Sequence, residues 1–262
     1  MAALVRSRPR LLSMKLHRSV MVRAAKYTPR ACVIDRDGME SAKATKLLSS
    51  FDHRVAAGHA CGRCWQPPLH CVCQELAACS SETQTADVVV LQHYKEFGNS
   101  SNTANLLTHV LPECCRLLVY PLQLEELDAT LRAQPAVLLY PGEGSVPCEA
   151  LKVQSTAPRL TLLLLDGTWR CVKAMRRRLM RAYPNMTCVS VSEMLEGGTA
   201  AIHAREETRP GAMCTAEATA QALRALGEHA AAPVMDGLGV LTRSTANRLG
   251  VMWDQKMRKR RG

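Results

Sequence analysis

The sequence lacks any apolar run long enough to cross a membrane. A transmembrane helix needs about 20 consecutive apolar residues, whereas the longest candidates here are strand-length runs such as residues 160–165. The glycine-rich patterns GxGxxG and GxxxxGK[ST], which cradle dinucleotides and nucleoside triphosphates, are absent too. We therefore expect a soluble protein without a membrane partner, and chemistry on ATP or dinucleotides loses support.

A secretory signal peptide is also missing, and 262 residues suffice for a substantial hydrophobic core without disulfide staples. The twelve cysteines therefore need another explanation. Four of them cluster between residues 61 and 73, and the other eight are scattered, mostly in apolar runs. This distribution favours an intracellular metal site over a secreted disulfide scaffold.

The clustered cysteines read CGRCWQPPLHCVC, with the spacing C-x2-C-x6-C-x-C. Two short-spaced pairs can bind one ion from a tight turn, and four thiolates complete a tetrahedral zinc shell with no position left for a substrate. His59 and His70 lie close enough in sequence to substitute for one thiolate. We predict a structural zinc knuckle with the ligands Cys61, Cys64, Cys71 and Cys73.

Acidic residues are absent from the first 34 positions, which carry eight Lys and Arg, while residues 241–262 carry seven Lys and Arg and a single acid. The net charge of +11 therefore lies in the tails, since the remainder holds 19 basic and 22 acidic residues. Residues 170–181, however, include six cations and no acid. A basic cluster inside the chain favours a polyanionic partner, because each neutralised phosphate releases counterions.

The basic N-terminal segment resembles a mitochondrial transit peptide and is equally compatible with an RNA-binding arm. The C-terminal KMRKRRG is typical of a nuclear signal. The expected location is therefore intracellular, with mitochondrion, nucleus and cytoplasm all left open.

From about residue 85 onward, apolar runs typical of buried strands alternate with helical segments. The predicted strands are 87–92, 116–120, 136–140, 160–165 and 186–191, and the predicted helices are 103–110, 124–133, 169–182 and 215–226. Apolar strands separated by helices predict a mostly parallel sheet covered on both faces, hence an α/β fold. The predicted division is a basic N-terminal extension (1–54), the zinc knuckle (55–80), the α/β domain (81–235) and a basic C-terminal tail (236–262).

Ligands of parallel sheets bind beyond the carboxyl ends of the strands. That rule selects His93, Pro141 with Gly142, and Asp166, each directly after a predicted strand. Asp166 follows the run LTLLLL, and a carboxylate is rarely placed there unless it is paired, caps a helix or takes part in chemistry.

The predicted helix after Asp166 is amphipathic. Its apolar face carries Val172, Met175 and Leu179. Cations line another face, namely Arg170, Lys173, Arg177 and Arg181. Because no acid offsets them, this face is either solvated or opposed by an anion.

Taken in order, these motifs resemble the DTW-domain tRNA-uridine aminocarboxypropyltransferases. The similarity covers about residues 58–227 and rests on CxxC…CxC, QHxxE with a downstream NT, LLYPG, DGTW, and an arginine-containing loop leading into TxEA. It implies transfer of the 3-amino-3-carboxypropyl group from S-adenosylmethionine to N3 of a tRNA uridine. It also implies a SPOUT-like fold whose C-terminal part is knotted around the donor.

The resemblance further implies roles for individual residues. The expected catalytic residues are Asp166, Trp169 and His93, with Asp166 either removing the N3 proton or orienting the uracil. The expected donor pocket consists of Leu139, Tyr140, Pro141, Gly142, Asp166, Thr168, Thr215, Glu217 and Ala218. The expected RNA-binding side chains are Lys173, Arg177, Arg181 and Arg205, of which Arg205 alternatively pairs with the donor carboxylate.

Two motifs depart from the family pattern. Tyr94 stands where QHPxE has proline, and Cys214 stands where serine would cap the TxEA helix, so we expect a weaker cap unless Thr215 replaces it. Two alternative functions stay open: the same transfer to ribosomal RNA, and a catalytically inactive zinc-containing RNA-binding protein.

Overall fold

The apolar runs after residue 85 form the strands of one sheet. The computed structural model describes residues 38–80, 85–151, 159–191 and 213–261, with side chains to residue 250. The strands are β1 (Ala86–His93), β2 (Cys115–Tyr120), β3 (Ala136–Leu139), β4 (Val146–Pro147), β5 (Leu160–Asp166) and β6 (Thr187–Ser190). The helices are α1 (Gly38–Ala56), α2 (Ala104–Val110), α3 (Leu124–Ala133), α4 (Trp169–Ala182), α5 (Thr215–Ala225) and α6 (Ala231–Arg261).

The sheet has the order β2-β1-β5-β3-β6-β4, and every described strand pair is parallel. The predicted parallel α/β architecture is therefore confirmed. Because parallel strands all end at the same edge, the carboxyl ends of β1, β5 and β3 lie side by side. The register places Gln92 of β1 beside Asp166 of β5, and His93 beside Tyr120 of β2.

Helices cover both faces of the sheet, as continuously apolar strands require. Successive side chains of a strand point to opposite faces, so Val88 and Val90 pack in the cluster that includes α2, α5 and α6. Val89 and Leu91 pack in the second cluster, which includes α3 and α4. Odd-numbered and even-numbered residues of β1 and β5 are therefore both buried, so only the strand ends are accessible to a ligand.

Two helices occupy positions that the sequence assigned to basic extensions. Helix α1 begins at Gly38, and Ala44 and Phe51 are buried on it at a spacing of seven residues. Helix α6 begins at Ala231 and buries Val234, Leu238 and Leu241, so the predicted boundary at residue 235 falls inside it. Residues 1–37 of the predicted N-terminal extension lie outside the described residues.

Proline and glycines made α6 hard to recognise. Pro233 lies in the first turn, where its missing N–H has no helical partner to lose. Gly237 lies where α6 contacts α2, so the small residue serves packing despite its low helix propensity.

None of the described helices combines the length and apolar character needed to cross a membrane.

Enlarging Gly237 should loosen the contact between α6 and α2. A Cβ at this position would lie 3.0 Å from Val110 Cγ2 and 3.2 Å from Leu106 Cδ1. We expect Gly237→Val to lower the free energy of unfolding by about 1–3 kcal/mol, because overpacking forces the neighbours to shift. Urea denaturation measures this loss.

Gly239→Val is the matched control. The nearest atom to a Cβ there is Arg243 Nη1, at 3.5 Å, the end of a flexible side chain. Equal losses of stability in the two variants would contradict the close packing of α6 on α2.

Candidate active site and metal centre

Asp166 is the centre of a buried hydrogen-bond network at the carboxyl edge of the sheet. Its side chain is 6% exposed. Oδ2 accepts hydrogen bonds from Gln92 Nε2 at 3.0 Å and Asn102 Nδ2 at 2.8 Å, and Oδ1 accepts one from Thr215 Oγ1 at 2.6 Å. A carboxylate is costly to bury unless it is hydrogen-bonded, and these three donors provide that compensation.

The three donors come from separate parts of the chain, and each is placed by the local structure around it. Gln92 lies opposite Asp166 in the parallel register of β1 and β5. Asn102 precedes α2, and its Oδ1 accepts from the backbone N–H of Asn105 at 3.0 Å. Thr215 is the first residue of α5. The motifs QHxxE, NT, DGTW and TxEA thus meet at a single carboxylate.

Two acceptor positions in this network remain unused among the described residues. The two carboxylate oxygens offer about four lone pairs, of which the network occupies three. Gln92 is fully buried, and its Oε1 has no hydrogen-bond partner in the described part of the chain. Since buried polar atoms are nearly always paired, the site has capacity for a ligand that donates N–H groups.

His93 lies beside this network but faces away from it. It follows Gln92 on β1, so the two side chains point to opposite faces of the sheet. The imidazole stacks on Tyr94 at 4.6 Å and Tyr120 at 5.9 Å between ring centroids, and Nδ1 accepts from the backbone N–H of Lys95. Burial lowers the pKa of His93, and the ring is 5% exposed. The imidazole therefore packs against the rings of Tyr94 and Tyr120, and its predicted catalytic role stays a prediction.

Gly167 joins Asp166 to α4 by a close backbone approach. Its φ is +153°, a conformation that side-chain-bearing residues rarely adopt. A Cβ there would lie 3.1 Å from His93 Cβ. Glycine in DGTW thus lets the chain turn from β5 into α4 against His93. Thr168 then caps α4, with Oγ1 accepting from the Cys171 N–H at 3.4 Å.

Trp169, the first residue of α4, lies on the surface and meets the LLYPG loop. Its indole is 41% exposed and packs edge-to-face on Tyr140, with ring centroids 6.4 Å apart. The Arg176 guanidinium lies 4.6 Å from the centroid of the same Tyr140 ring, and its Nε is buried without a hydrogen-bond partner in the described residues. These three side chains form an aromatic and cationic surface beside the strand ends.

Helix α4 separates an apolar face from a basic one. Val172, Met175 and Leu179 are buried as the periodicity predicted. An exposed row runs along the helix at intervals of four residues and consists of Trp169, Lys173, Arg177 and Arg181. Arg178 instead turns inward, to the Tyr120 hydroxyl and Glu40. The exposed row leads away from the site as a continuous basic surface.

The remaining predicted donor-pocket residues line the neighbouring strand end and α5. Leu139 ends β3, and Pro141 and Gly142 follow it in an exposed loop. Glu217 is 3% exposed in the first turn of α5, and the adjacent Ala218 donates its N–H to the Cys214 carbonyl. Arg205 lies outside the described residues.

The helix cap of α5 differs from the expectation. Cys214 itself is the N-cap, and its Sγ accepts from the Glu217 N–H at 3.4 Å. Thr215 does not replace it, because its hydroxyl donates to Asp166. The cysteine therefore preserves the cap geometry and leaves Thr215 available to the site.

Two residues of the network, Gln92 and Asn102, were not among the predicted site residues, and neither was Arg176. Gln92 and Asn102 belong to motifs that the sequence had already singled out. The sequence signal that could have identified them is a polar amide side chain at the end of a predicted strand, for Gln92, and directly before a predicted helix, for Asn102. Arg176 gave no signal of its own, since five other cations surround it in sequence.

A separate cavity of about 110 Å³ lies between α3 and α4. Its lining includes Leu91, Tyr120 and Met175 but none of the residues that contact Asp166. Two of its polar lining groups pair with each other, the Tyr183 hydroxyl with Asp128. This cavity lies on the far face of the sheet and does not form part of the candidate active site.

The four clustered cysteines form a compact donor set. All four Sγ atoms lie within 4.8 Å of one another. Cys61 and Cys73 are 3.7 Å apart, and Cys64 and Cys71 are 3.6 Å apart. Sulfurs around a tetrahedral zinc with Zn–S bonds of about 2.3 Å would lie about 3.8 Å apart, so the arrangement fits zinc. His59 and His70, both within the described residues, are not part of the cluster.

The protonation of these thiols also suits a metal site. Burial raises the pKa of Cys61, but hydrogen bonds with the backbone of Cys64 and Arg63 and with the thiols of Cys73 and Cys64 together lower the value to about 7. Burial raises the pKa of Cys64 and Cys73. A bound cation would stabilise the thiolates that burial disfavours. Four sulfur ligands leave no open position, so the role of such a metal is structural.

Residues 58–257 match the family model of the DTW domain. That span includes the cysteine cluster, the Asp166 network and most of α6. The chain belongs to the DTW-domain family. Because the matched span reaches residue 257, helix α6 is part of the DTW domain.

Three related proteins from different organisms are all named tRNA-uridine aminocarboxypropyltransferases. The fruit-fly (Drosophila melanogaster) tRNA-uridine aminocarboxypropyltransferase 2 is 30% identical over 173 residues, which is 63% of this chain and 66% of the relative. The Arabidopsis thaliana tRNA-uridine aminocarboxypropyltransferase A is 28% identical over 190 residues, covering 63% and 72%. The mouse (Mus musculus) tRNA-uridine aminocarboxypropyltransferase 2 is 30% identical over 118 residues, covering 43% and 39%. The chain thus spans less than two thirds of the fly and mouse proteins. No solved structure matches the chain.

We expect the purified DTW-domain protein to contain one zinc per chain. Cys64→Ser removes one of the four ligands, so zinc content should fall well below one and the knuckle should lose its cross-link. The variant should also unfold at a lower temperature, because in a chain of this size each kcal/mol of unfolding free energy that is lost lowers Tm by about 2–4 °C. Elemental analysis and thermal unfolding measure the two effects.

Cys188→Ser is the matched control, because this half-buried cysteine of β6 lies outside the cluster. Full zinc content in Cys64→Ser, or an equal loss of Tm in Cys188→Ser, would contradict the assignment of the cluster as a metal site.

Proposed function

We propose that this protein transfers the 3-amino-3-carboxypropyl group of S-adenosylmethionine to N3 of a uridine in tRNA. The observation that carries the proposal is the Asp166 network, in which QHxxE, NT, DGTW and TxEA converge on one carboxylate. Family membership and the names of the relatives support the same activity. The proposal includes a SPOUT-like fold whose C-terminal part is knotted around the donor.

Asp166 is the group that handles the uracil in this proposal. Uridine N3 carries a weakly acidic proton that must leave when N3 is alkylated. The unused acceptor position on the Asp166 carboxylate suits an N–H donor, and the unpartnered Gln92 Oε1 adds a second acceptor beside it. Three hydrogen bonds hold the carboxylate in one orientation, which favours a defined geometry of attack.

The donor pocket is assigned to the adjacent strand end. Tyr140, Pro141 and Gly142 follow β3 next to β5, and the loop is open, since a Cβ at Gly142 would meet only Tyr140 Cε1, at 4.0 Å. Backbone groups of such a loop can read an adenine or ribose edge at close range. When bound, the donor supplies an electrophilic carbon beside a sulfonium; the chain must hold that carbon, and not the methyl group, towards N3.

The RNA surface is assigned to the exposed row of α4. Trp169 begins this row beside Tyr140, and its open indole face suits stacking of an unpaired base. Lys173, Arg177 and Arg181 continue the row and suit phosphate contacts along the adjoining backbone. A single helix would thereby position the target nucleotide and its neighbours relative to Asp166.

Asp166→Asn tests the proposed chemistry. The substitution keeps the shape of the side chain but replaces one acceptor oxygen with an N–H₂ group, which opposes the donors that converge on it. We expect aminocarboxypropyl transfer to tRNA to fall at least about 100-fold, the scale of losing a positioned proton acceptor. Nucleoside mass spectrometry after incubation with tRNA and S-adenosylmethionine measures the product.

Asp236→Asn is the control, since Asp236 is exposed on α6 far along the chain from the site residues. Undiminished transfer in Asp166→Asn would refute the assigned role. If the wild type modifies ribosomal RNA but not tRNA, the acceptor is ribosomal RNA and the proposed tRNA acceptor is wrong. If the wild type binds tRNA but forms no product, the alternative of a catalytically inactive RNA-binding protein is favoured.

Charge reversal on α4 tests the RNA surface. Arg177→Glu with Arg181→Glu should weaken tRNA binding at least tenfold and reduce the slope of log K against log salt by about 2. Affinity for S-adenosylmethionine should stay unchanged, because neither side chain contacts the Asp166 network. Filter binding at several salt concentrations and calorimetry measure the two quantities.

Lys43→Glu with Lys46→Glu makes the same change in net charge at two exposed positions of the separate helix α1 and therefore controls for net charge. If the salt dependence of tRNA binding is unchanged in Arg177→Glu with Arg181→Glu, helix α4 is excluded from the RNA surface.

A further inference from the structure

A continuous line of hydrogen bonds connects the cysteine cluster to Asp166. Asn105 Nδ2 donates to the carbonyl of Arg63, which lies between the ligands Cys61 and Cys64, at 2.7 Å. The backbone N–H of Asn105 donates to Asn102 Oδ1 at 3.0 Å. Asn102 Nδ2 then donates to Asp166 at 2.8 Å. Three hydrogen bonds thus span the distance from the metal centre to the candidate catalytic carboxylate.

Every side chain in this line is shielded from water. Asn102, Asn105 and Asp166 are each 6% exposed. Hydrogen bonds in such surroundings are stronger than in water, and an unpaired group is correspondingly costly. The line therefore favours one arrangement of its members over any that breaks a bond.

The orientation of the Asn102 amide depends on this line. Its oxygen and nitrogen ends have nearly the same shape, so only their partners decide which end faces Asp166. Because the Asn105 N–H requires an acceptor, Oδ1 turns to Asn105 and Nδ2 turns to Asp166. A rotated amide would direct its oxygen at the carboxylate and repel it.

The knuckle also clamps the loop that carries Asn102. Gln66, adjacent to the CxxC turn, donates from Nε2 to the Ser100 carbonyl at 2.6 Å. Trp65 packs on Phe97 with ring centroids 5.0 Å apart, and both rings contact Phe51. The segment between β1 and α2 is therefore held to the knuckle at two points, Phe97 and Ser100.

We propose that the metal knuckle positions the Asp166 carboxylate, with Asn105 and Asn102 as the positioning residues that transmit its placement. The knuckle then serves the active site directly and does more than stabilise the N-terminal part of the domain. This inference rests on the proposed function only for the identity of the donor and acceptor.

Asn105→Ala severs the link to Arg63 and keeps the backbone N–H that holds Asn102. We expect kcat for tRNA modification to fall about tenfold, the effect of one lost buried hydrogen bond, with the KM for tRNA unchanged. Zinc content should stay at one per chain. Asn105→Asp has the same shape without the donor, and it should not restore kcat.

Ser244→Ala is the matched control. Ser244 Oγ donates to the His70 carbonyl of the same knuckle at 2.9 Å, so its removal also cuts one hydrogen bond between the knuckle and a helix. This bond does not lead to Asn102. We therefore expect less than a twofold change in kcat.

A double-mutant cycle tests transmission from the metal. Chelation of zinc should lower the kcat of the wild type and shift the side-chain amide resonance of Asn102 in NMR spectra. In Asn105→Ala both effects of chelation should be markedly smaller, because coupled changes are not additive.

The outcomes separate this inference from the proposed function. An Asn102 resonance that is identical in wild type and Asn105→Ala, or full additivity of chelation and substitution, overturns the positioning role. If Asn105→Ala fails to fold, Gln66→Leu, which cuts the parallel link to Ser100, must give the same resonance shift for the inference to survive. An inactive wild type with these resonance shifts intact refutes only the proposed function.

Discussion

The placement of one buried carboxylate constrains the rest of the site. Asp166 at 6% exposure would destabilise the fold if left unpaired, because desolvating a charge costs several kcal/mol. Gln92, Asn102 and Thr215 offset that cost, and they belong to β1, the segment before α2, and α5. Three separate segments must therefore be correctly packed before the carboxylate is satisfied, which links the geometry of the site to the folding of the domain.

Helix α4 connects the interior of this site with its surface. Gly167 allows the sharp exit from β5, and Thr168 caps the helix that follows. The buried face of α4 then fixes the rotation of the helix about its axis. This rotation determines the side of the helix on which the exposed row starting at Trp169 lies. Asp166 and the exposed arginines of α4, close in sequence, thereby lie on different surfaces: the acid inside the strand edge, the arginines along the outside of the helix.

Much of the fold could be predicted because its signals are local. Apolar runs marked five of the six described strands, and the period of α4 identified Val172, Met175 and Leu179 as buried. The spacing of the cysteines indicated their cluster, since turns bring such pairs together. Helices α1 and α6 escaped prediction because basic residues, Pro233 and Gly237 outweighed the few apolar positions that tertiary packing buries. Propensity is a weak prior where burial decides.

The sequence by itself determined a parallel α/β domain, a four-cysteine cluster and an acid at the end of a central strand. Only the tertiary structure decided which partners that acid has: Thr215 and Asn102 reach it, whereas His93, next to Gln92 in sequence, turns to the opposite face. The physical reason is that strand order and register bring together residues far apart in the chain, and no local pattern encodes either. The same applies to Asn105, whose side chain meets the knuckle only because α2 packs beside it.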